Sequence, residues 1–191
     1  MRFSAFMTTL TICMLIMGCS TRDLQSSLNG STPQRLVTHS IDDLVSGLKD
    51  KNLDALKGKK VFINSYFLND SKLKDYADQR LAVEISGRFG AEIVPTQEDS
   101  EQVMTIFYTS LATDMDNFGI SIPFGYIPGI DGSASLNIIT LEKFHGISEM
   151  YYYVGKTGTE NRSKVLQAKV RTDALGLPFI TLPISNIDRH E

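Results

Sequence analysis

The spacing of the apolar residues changes near residue 100, and this change constrains the fold more than any other feature of the chain. Before it, Leu36, Val37, Ile41, Leu44, Val45 and Leu48 recur at helical intervals behind Thr32-Pro33. Thr as N-cap and Pro at the first helical position predict a helix over 33–49. Leu53 and Leu56 suggest a short further turn, and the β-branched and aromatic run Val61–Phe67 predicts a strand. Leu73, Tyr76, Ala77, Leu81, Ile85 and Phe89 predict a second helix, ended by Gly90, with a short strand at Ala91–Pro95. This strand–helix–strand order most simply links parallel strands. Beyond residue 100 the apolar residues come in long runs at Glu101–Met115 and Leu136–Gly155. A turn is expected at Lys156–Thr159 and a returning strand at Lys164–Arg171, then an edge strand at Leu177–Ile184 that holds two prolines. The expected class is α+β: a mixed sheet with two helices on one face and long antiparallel strands in the C-terminal half.

The N-terminus reads as an address. Arg2 precedes an uncharged, mostly apolar run from Phe3 to Met17, followed by Gly18 and Cys19. The run fits a signal-peptide core and falls short of the ~20 apolar residues that span a bilayer. Leu15-Ile16-Met17-Gly18-Cys19 resembles the lipobox of bacterial lipoproteins, in which the cysteine is acylated and becomes the first residue. The resemblance implies a signal peptide over 1–18, lipidation of Cys19, a polar tether over 19–32 and a single periplasmic domain over 33–191. Ser20 lacks the aspartate that resembles an inner-membrane retention signal, so the outer membrane is expected, with the domain in the periplasm or at the cell surface. The only other cysteine, Cys13, lies within the signal segment, so thiol catalysis, Cys-zinc sites and disulfides are all excluded from the domain. The net charge of −3 becomes one more acidic without Arg2, and Lys and Arg are scattered. Nucleic acid is therefore not an expected partner, and attachment to the membrane falls to the lipid at Cys19.

Motifs that would carry catalysis fail on position. Ser46-Gly47-Leu48-Lys49, Ser135-Leu136-Asn137 and Lys156-Thr157-Gly158 match, in order, the S-x-x-K, S-x-N and K-T-G of serine acyl-enzymes. Ser46, however, falls in the last turn of a surface helix, and that chemistry needs a serine at the start of a buried one. Gly155-Lys156-Thr157 mimics the end of a phosphate loop, yet Met150 stands where its first glycine belongs and no helix follows. His39, His145 and His190 share no ligand spacing, and His145 is expected to face solvent from a strand. Asp114, Asp116, Glu98 and Asp99 read as solvated turn residues, and Lys49, Lys51, Lys57, Lys59 and Lys60 as a solvated face. No catalytic residue, metal ligand or cofactor is expected.

One segment departs from the ordinary. Asp116–Ser135, DNFGISIPFGYIPGIDGSAS, is a long expected connection that is apolar as well as rich in Gly and Pro. Ile120, Ile122, Phe124 and Tyr126 alternate behind Phe118, so an extended arm would present one hydrophobic side. Such an arm either folds onto its own sheet or offers Phe118, Ile120, Ile122, Phe124 and Tyr126 to a partner or another copy.

LDALKGKKVF at 53–62, FGISIPFGYIPG at 118–129, and LEKFHGISEMYYY at 141–153 followed by Lys156-Thr157-Gly158 resemble an uncharacterised bacterial lipoprotein family. The resemblance runs from about Pro33 onward and implies no activity. The element order is also similar in layout to the periplasmic domains of the curli-export lipoprotein and of lipoprotein activators of penicillin-binding proteins. The expected function is that of a non-catalytic outer-membrane lipoprotein that binds an envelope component or itself. The competing expectation is a hydrolase or transferase acting on cell-wall or lipid substrates.

Overall fold

The computed structural model describes residues 21–25, 30–48, 51–68, 71–123, 135–178 and 180–185; Cys19, Phe124 and Tyr126 lie outside them. In chain order these residues form β1 (Thr21–Gln25), α1 (Ser31–Ser46), a 3-10 helix (Lys51–Leu56), β2 (Lys60–Tyr66) and α2 (Lys72–Phe89). They continue as β3 (Glu92–Ile93), β4 (Gln102–Pro123), β5 (Ser135–Gly155), β6 (Leu166–Leu177) and β7 (Ile180–Pro183). The sheet order is β3-β2-β4-β5-β6-β7, with β1 also paired to β4. β2 runs parallel to both β3 and β4, and β6–β7 is antiparallel. The fold is α+β, with a mixed sheet, two helices and long antiparallel strands in the C-terminal half.

Local chemistry accounts for the helix ends. Ser71 caps α2 by accepting the Lys74 amide, and Gly90 ends it in the left-handed region (φ 62°), its amide donating to the Ser86 carbonyl at 2.9 Å. α1 begins at Ser31, before the expected start. Pro33 therefore sits one turn in, where its missing N–H would have had no intrahelical acceptor in any case. β1 falls inside the 19–32 stretch expected to be a tether.

The residues divide into two compact units. The first takes in 30–113 and 145–171 among the described residues and holds the core. Val37, Ile41, Leu44 and Val45 of α1 meet Ala77, Leu81 and Ile85 of α2, with Leu53 and Leu56 from the 3-10 helix. Val61, Met104, Ile106, Tyr108, Met150, Tyr152 and Val154 face them from the sheet. Fully burying each such aliphatic side chain is worth about 1.5–3 kcal/mol, and these stripes hold both helices to the sheet. α1 lies directly against β5 at Gly146, where a Cβ would run into the Leu36 carbonyl. Tyr76, expected in the buried stripe of α2, is instead partly exposed, because its hydroxyl reaches out to Asp42 of α1.

The second unit takes in β1, 114–123, 135–144 and 172–185 among the described residues. β4 continues eight residues past Met115, through Pro123, so part of the expected connection Asp116–Ser135 is strand. Its backbone finds a neighbour there, since Gly119 lies directly against Ile139 and Thr140 of β5. Alternation outweighs glycine content where a partner strand is available.

Candidate interaction surfaces

The polar clusters of the first unit join its elements. Ser40 of α1 and Ser148 of β5, both fully buried, share a 2.7 Å hydrogen bond, and the Ser40 hydroxyl also lies 2.8 Å from the Val37 carbonyl. Asp78 of α2 accepts from the Ser65 hydroxyl at 2.7 Å, the Lys74 ammonium at 2.8 Å and the Tyr108 hydroxyl at 3.0 Å. Burial, then the nearby Asp78 charge, pushes the Tyr108 phenol far above its usual range, so it stays a hydrogen-bond donor. Arg80 bridges Asp42 of α1 and Glu84 of α2 at 2.9 and 3.2 Å, and Arg88 donates to the Leu48 carbonyl. Each of these groups is occupied in tying α1 or α2 to its neighbours.

The residues singled out for catalysis fall in unremarkable places. Ser46 is exposed at the end of α1, its hydroxyl 3.3 Å from the Asp43 carbonyl. The Lys156–Thr159 turn closes on Glu160. The carboxylate accepts from the Thr157 hydroxyl at 2.8 Å and from the Thr157 and Thr159 amides, each at 3.1 Å. The Thr157 hydroxyl leads the interactions that hold the Glu160 carboxyl down at about 2. The K-T-G sequence is thus a turn fastened by its own carboxylate. His145 corrects its expectation: only 5% of it is exposed, so its side of β5 is covered even though Gly146 and Ser148 are the positions that face α1. Among the described residues, no three or more His, Cys, Asp or Glu side chains gather as a metal site.

Two surfaces remain as candidates. On the first unit, register places Tyr66 of β2 beside Phe107 of β4, and Tyr151 of β5 extends the row. The three rings stack with centroids 5.1 Å apart at each step, Tyr153 meets Phe107 and Tyr151 edge-on, and Arg162 lies 4.8 Å from the Tyr151 ring centre. Shallow depressions of about 320 Å³ flank this row on either side. Such cross-strand aromatic pairs add about 0.5–1.5 kcal/mol beyond the area they bury, and Arg162 gains a cation–π contact. Nothing in the sequence foretells the row: Tyr66, Phe107 and Tyr151 stand more than forty positions apart in succession and meet only through strand register.

The second surface is the one the alternation suggests. Phe118, Ile120 and Ile122 of β4 are 63%, 59% and 50% exposed. They project to one side of the strand, while Asn117 and Gly119 point to the other. Ile138 and Ile139 of β5 are exposed as well. On the β6–β7 hairpin, Leu175 pairs with Leu182 and Leu177 with Ile180, which puts four apolar side chains on one side. Ile180 and Leu182 are 55% and 42% exposed, whereas Ala174, on the opposite side, is buried. Eight of the thirteen large apolar side chains exposed among the described residues belong to this unit. Of the five positions expected to bind a partner, Phe118, Ile120 and Ile122 are therefore exposed on one side of a strand, and Phe124 and Tyr126 fall outside the described residues. No protein-family profile and no curated protein matches this chain.

Proposed function

We propose that this protein is a lipoprotein of the bacterial outer membrane, acylated at Cys19, whose second unit binds an envelope component or another copy of itself without catalysing a reaction. The observation that carries the reading is the row Phe118, Ile120 and Ile122, each at least half exposed on one side of β4. A solvated strand gains nothing from three adjacent large apolar side chains, and isolated monomers seldom expose contiguous apolar patches beyond a few hundred Å². Covering what remains exposed of each would return about 1 kcal/mol or more per side chain. Lipidation supports the same reading, because an anchored domain meets its partner at high local concentration.

Two measurements test it. Mass spectrometry of the protein from its native membrane should find acyl chains on Cys19, and Cys19→Ala should leave the chain unprocessed. A photo-reactive residue in place of Ile120 should cross-link in intact cells, and Phe118→Ser with Ile122→Ser should abolish the product while leaving the melting temperature nearly unchanged. Retained cross-linking in that variant would show that the row does not hold the partner, and a loss of many degrees in melting temperature would mean that the row packs on its own sheet.

A further inference from the structure

The apolar side of the second unit differs from an ordinary protein interface in what it lacks. Protein partners are specified by hydrogen bonds, roughly one per 100–200 Å² of interface, and by a charged rim. Residues 117–141 hold a single charge, Asp131, and residues 174–185 hold none. The large exposed side chains here are Phe, Ile and Leu, with no polar group on the same side of β4 from Phe118 to Ile122. Charges resume together where the apolar stretches end: Asp114 and Asp116 on β4, Glu142 and Lys143 on β5, and Asp173 on β6. A boundary of this kind, apolar on one side and ionic on the other across three strands, suits a planar change of solvent.

The lengths agree. From Phe118 to Ile122 the strand covers about 13 Å, and β7, from Ile180 to Pro183, about 10 Å. One leaflet of a bilayer offers about 15 Å of hydrocarbon, half of the ~30 Å core. The N-terminus agrees too: β1 opens at Thr21, two residues after Cys19, and pairs with β4, the strand that carries the apolar row. Acyl chains on Cys19 would therefore hold this same unit near the membrane.

We infer that the envelope component covering this side is lipid hydrocarbon: Phe118, Ile120, Ile122, Ile180 and Leu182 seat in one leaflet of the membrane that holds the anchor. The inference rests on the reading above and names the occupant. The acyl chains on Cys19 would hold the protein at the membrane, and the apolar side would add to that hold by the area it buries.

The test uses the acylated full-length protein in vesicles of phosphatidylethanolamine and phosphatidylglycerol whose acyl chains carry bromine. A bimane fluorophore is attached at Ile120→Cys, at Leu182→Cys or, as a control on the first unit, at Lys59→Cys. The emission at 120 and 182 should be quenched at least threefold relative to unbrominated vesicles, with the control unchanged. Unquenched emission at 120 from membrane-bound protein would overturn the inference. So would analytical ultracentrifugation showing a stable dimer in detergent-free, lipid-free buffer that Phe118→Ser with Ile120→Ser disperses, since a second copy would then cover the side. Acylation of Cys19 and cross-linking in cells are read separately, so quenching can fail while the broader reading stands.

Discussion

Replacing Gly146 with alanine should destabilise the protein by an amount that the contact with α1 sets. A Cβ at this position overlaps the carbonyl carbon and oxygen of Leu36 and comes within 3.0 Å of the Leu36 Cβ. The obstructing atoms are mostly backbone, so no side-chain rotation relieves them, and α1 must move outward. Leu36, Val37, Ile41, Leu44 and Val45 are almost fully buried on that helix, and each loses close packing as it shifts. Overpacking of this kind costs about 1–3 kcal/mol. For a chain of this size that lowers the melting temperature by roughly 2–4 °C per kcal/mol, or up to about 10 °C in all. Gly87 supplies the contrast. It lies within α2, with nothing within 4 Å of an added Cβ, so Gly87→Ala should stabilise by about 0.5–1 kcal/mol. Thermal and urea unfolding, followed by circular dichroism, would read both variants side by side. If Gly146→Ala unfolds at or above the wild-type temperature, the close approach of α1 to β5 is wrong, and the packing argument falls with it.

The Ser40–Ser148 bond should behave as a pair. Ser148→Ala leaves the Ser40 hydroxyl with its Val37 bond and costs about 1 kcal/mol, and a double-mutant cycle with Ser40→Ala should show a coupling of similar size. Additive losses would deny the bond. Acid stability should depend on Glu160. Its folded pKa of about 2 lies below the ordinary value of 4.5, so its contribution is complete above pH 4.5 and disappears as the pH falls toward 2. The urea midpoint should accordingly fall less steeply between pH 4.5 and 2 in Glu160→Gln than in the wild type; identical slopes would contradict the caged carboxylate. Phe107→Ala removes the middle ring between Tyr66 and Tyr151, and should cost more stability than Tyr66→Ala at the end of the row. The reverse order would show that the stack contributes little.

Elements that announce themselves locally were legible in the sequence. α2 has its cap at Ser71, its stripe at Ala77, Leu81 and Ile85, and its stop at Gly90, all within one stretch. The alternation on β4 was also legible, because it is a local property, although Gly119 and Pro123 disguised the strand as a connection and the alternation alone left open whether the row would be exposed. β1 was not legible. Thr-Arg-Asp-Leu-Gln carries no strand pattern, and pairing with β4 is what makes it one. The burial of His145 was hidden for a similar reason: whether a strand position is covered depends on what the rest of the fold packs over that side, which the sequence of β5 alone does not state. The aromatic row needed register twice over, first between β2 and β4 and then between β4 and β5.

The pairing of β1 with β4 has a consequence for the order of assembly. β1 emerges from any translating or translocating machinery ahead of the other described elements, whereas its partner begins roughly eighty residues later, and such a loop must close before the contact returns anything. α1, the 3-10 helix, β2 and α2 can gather around near neighbours in the meantime. The N-terminal strand is thus among the last to find its place, and throughout that interval its backbone donors and acceptors stay open to any other strand edge. Refolding should therefore show a late phase that a probe near Thr21 reports and one on α2 does not.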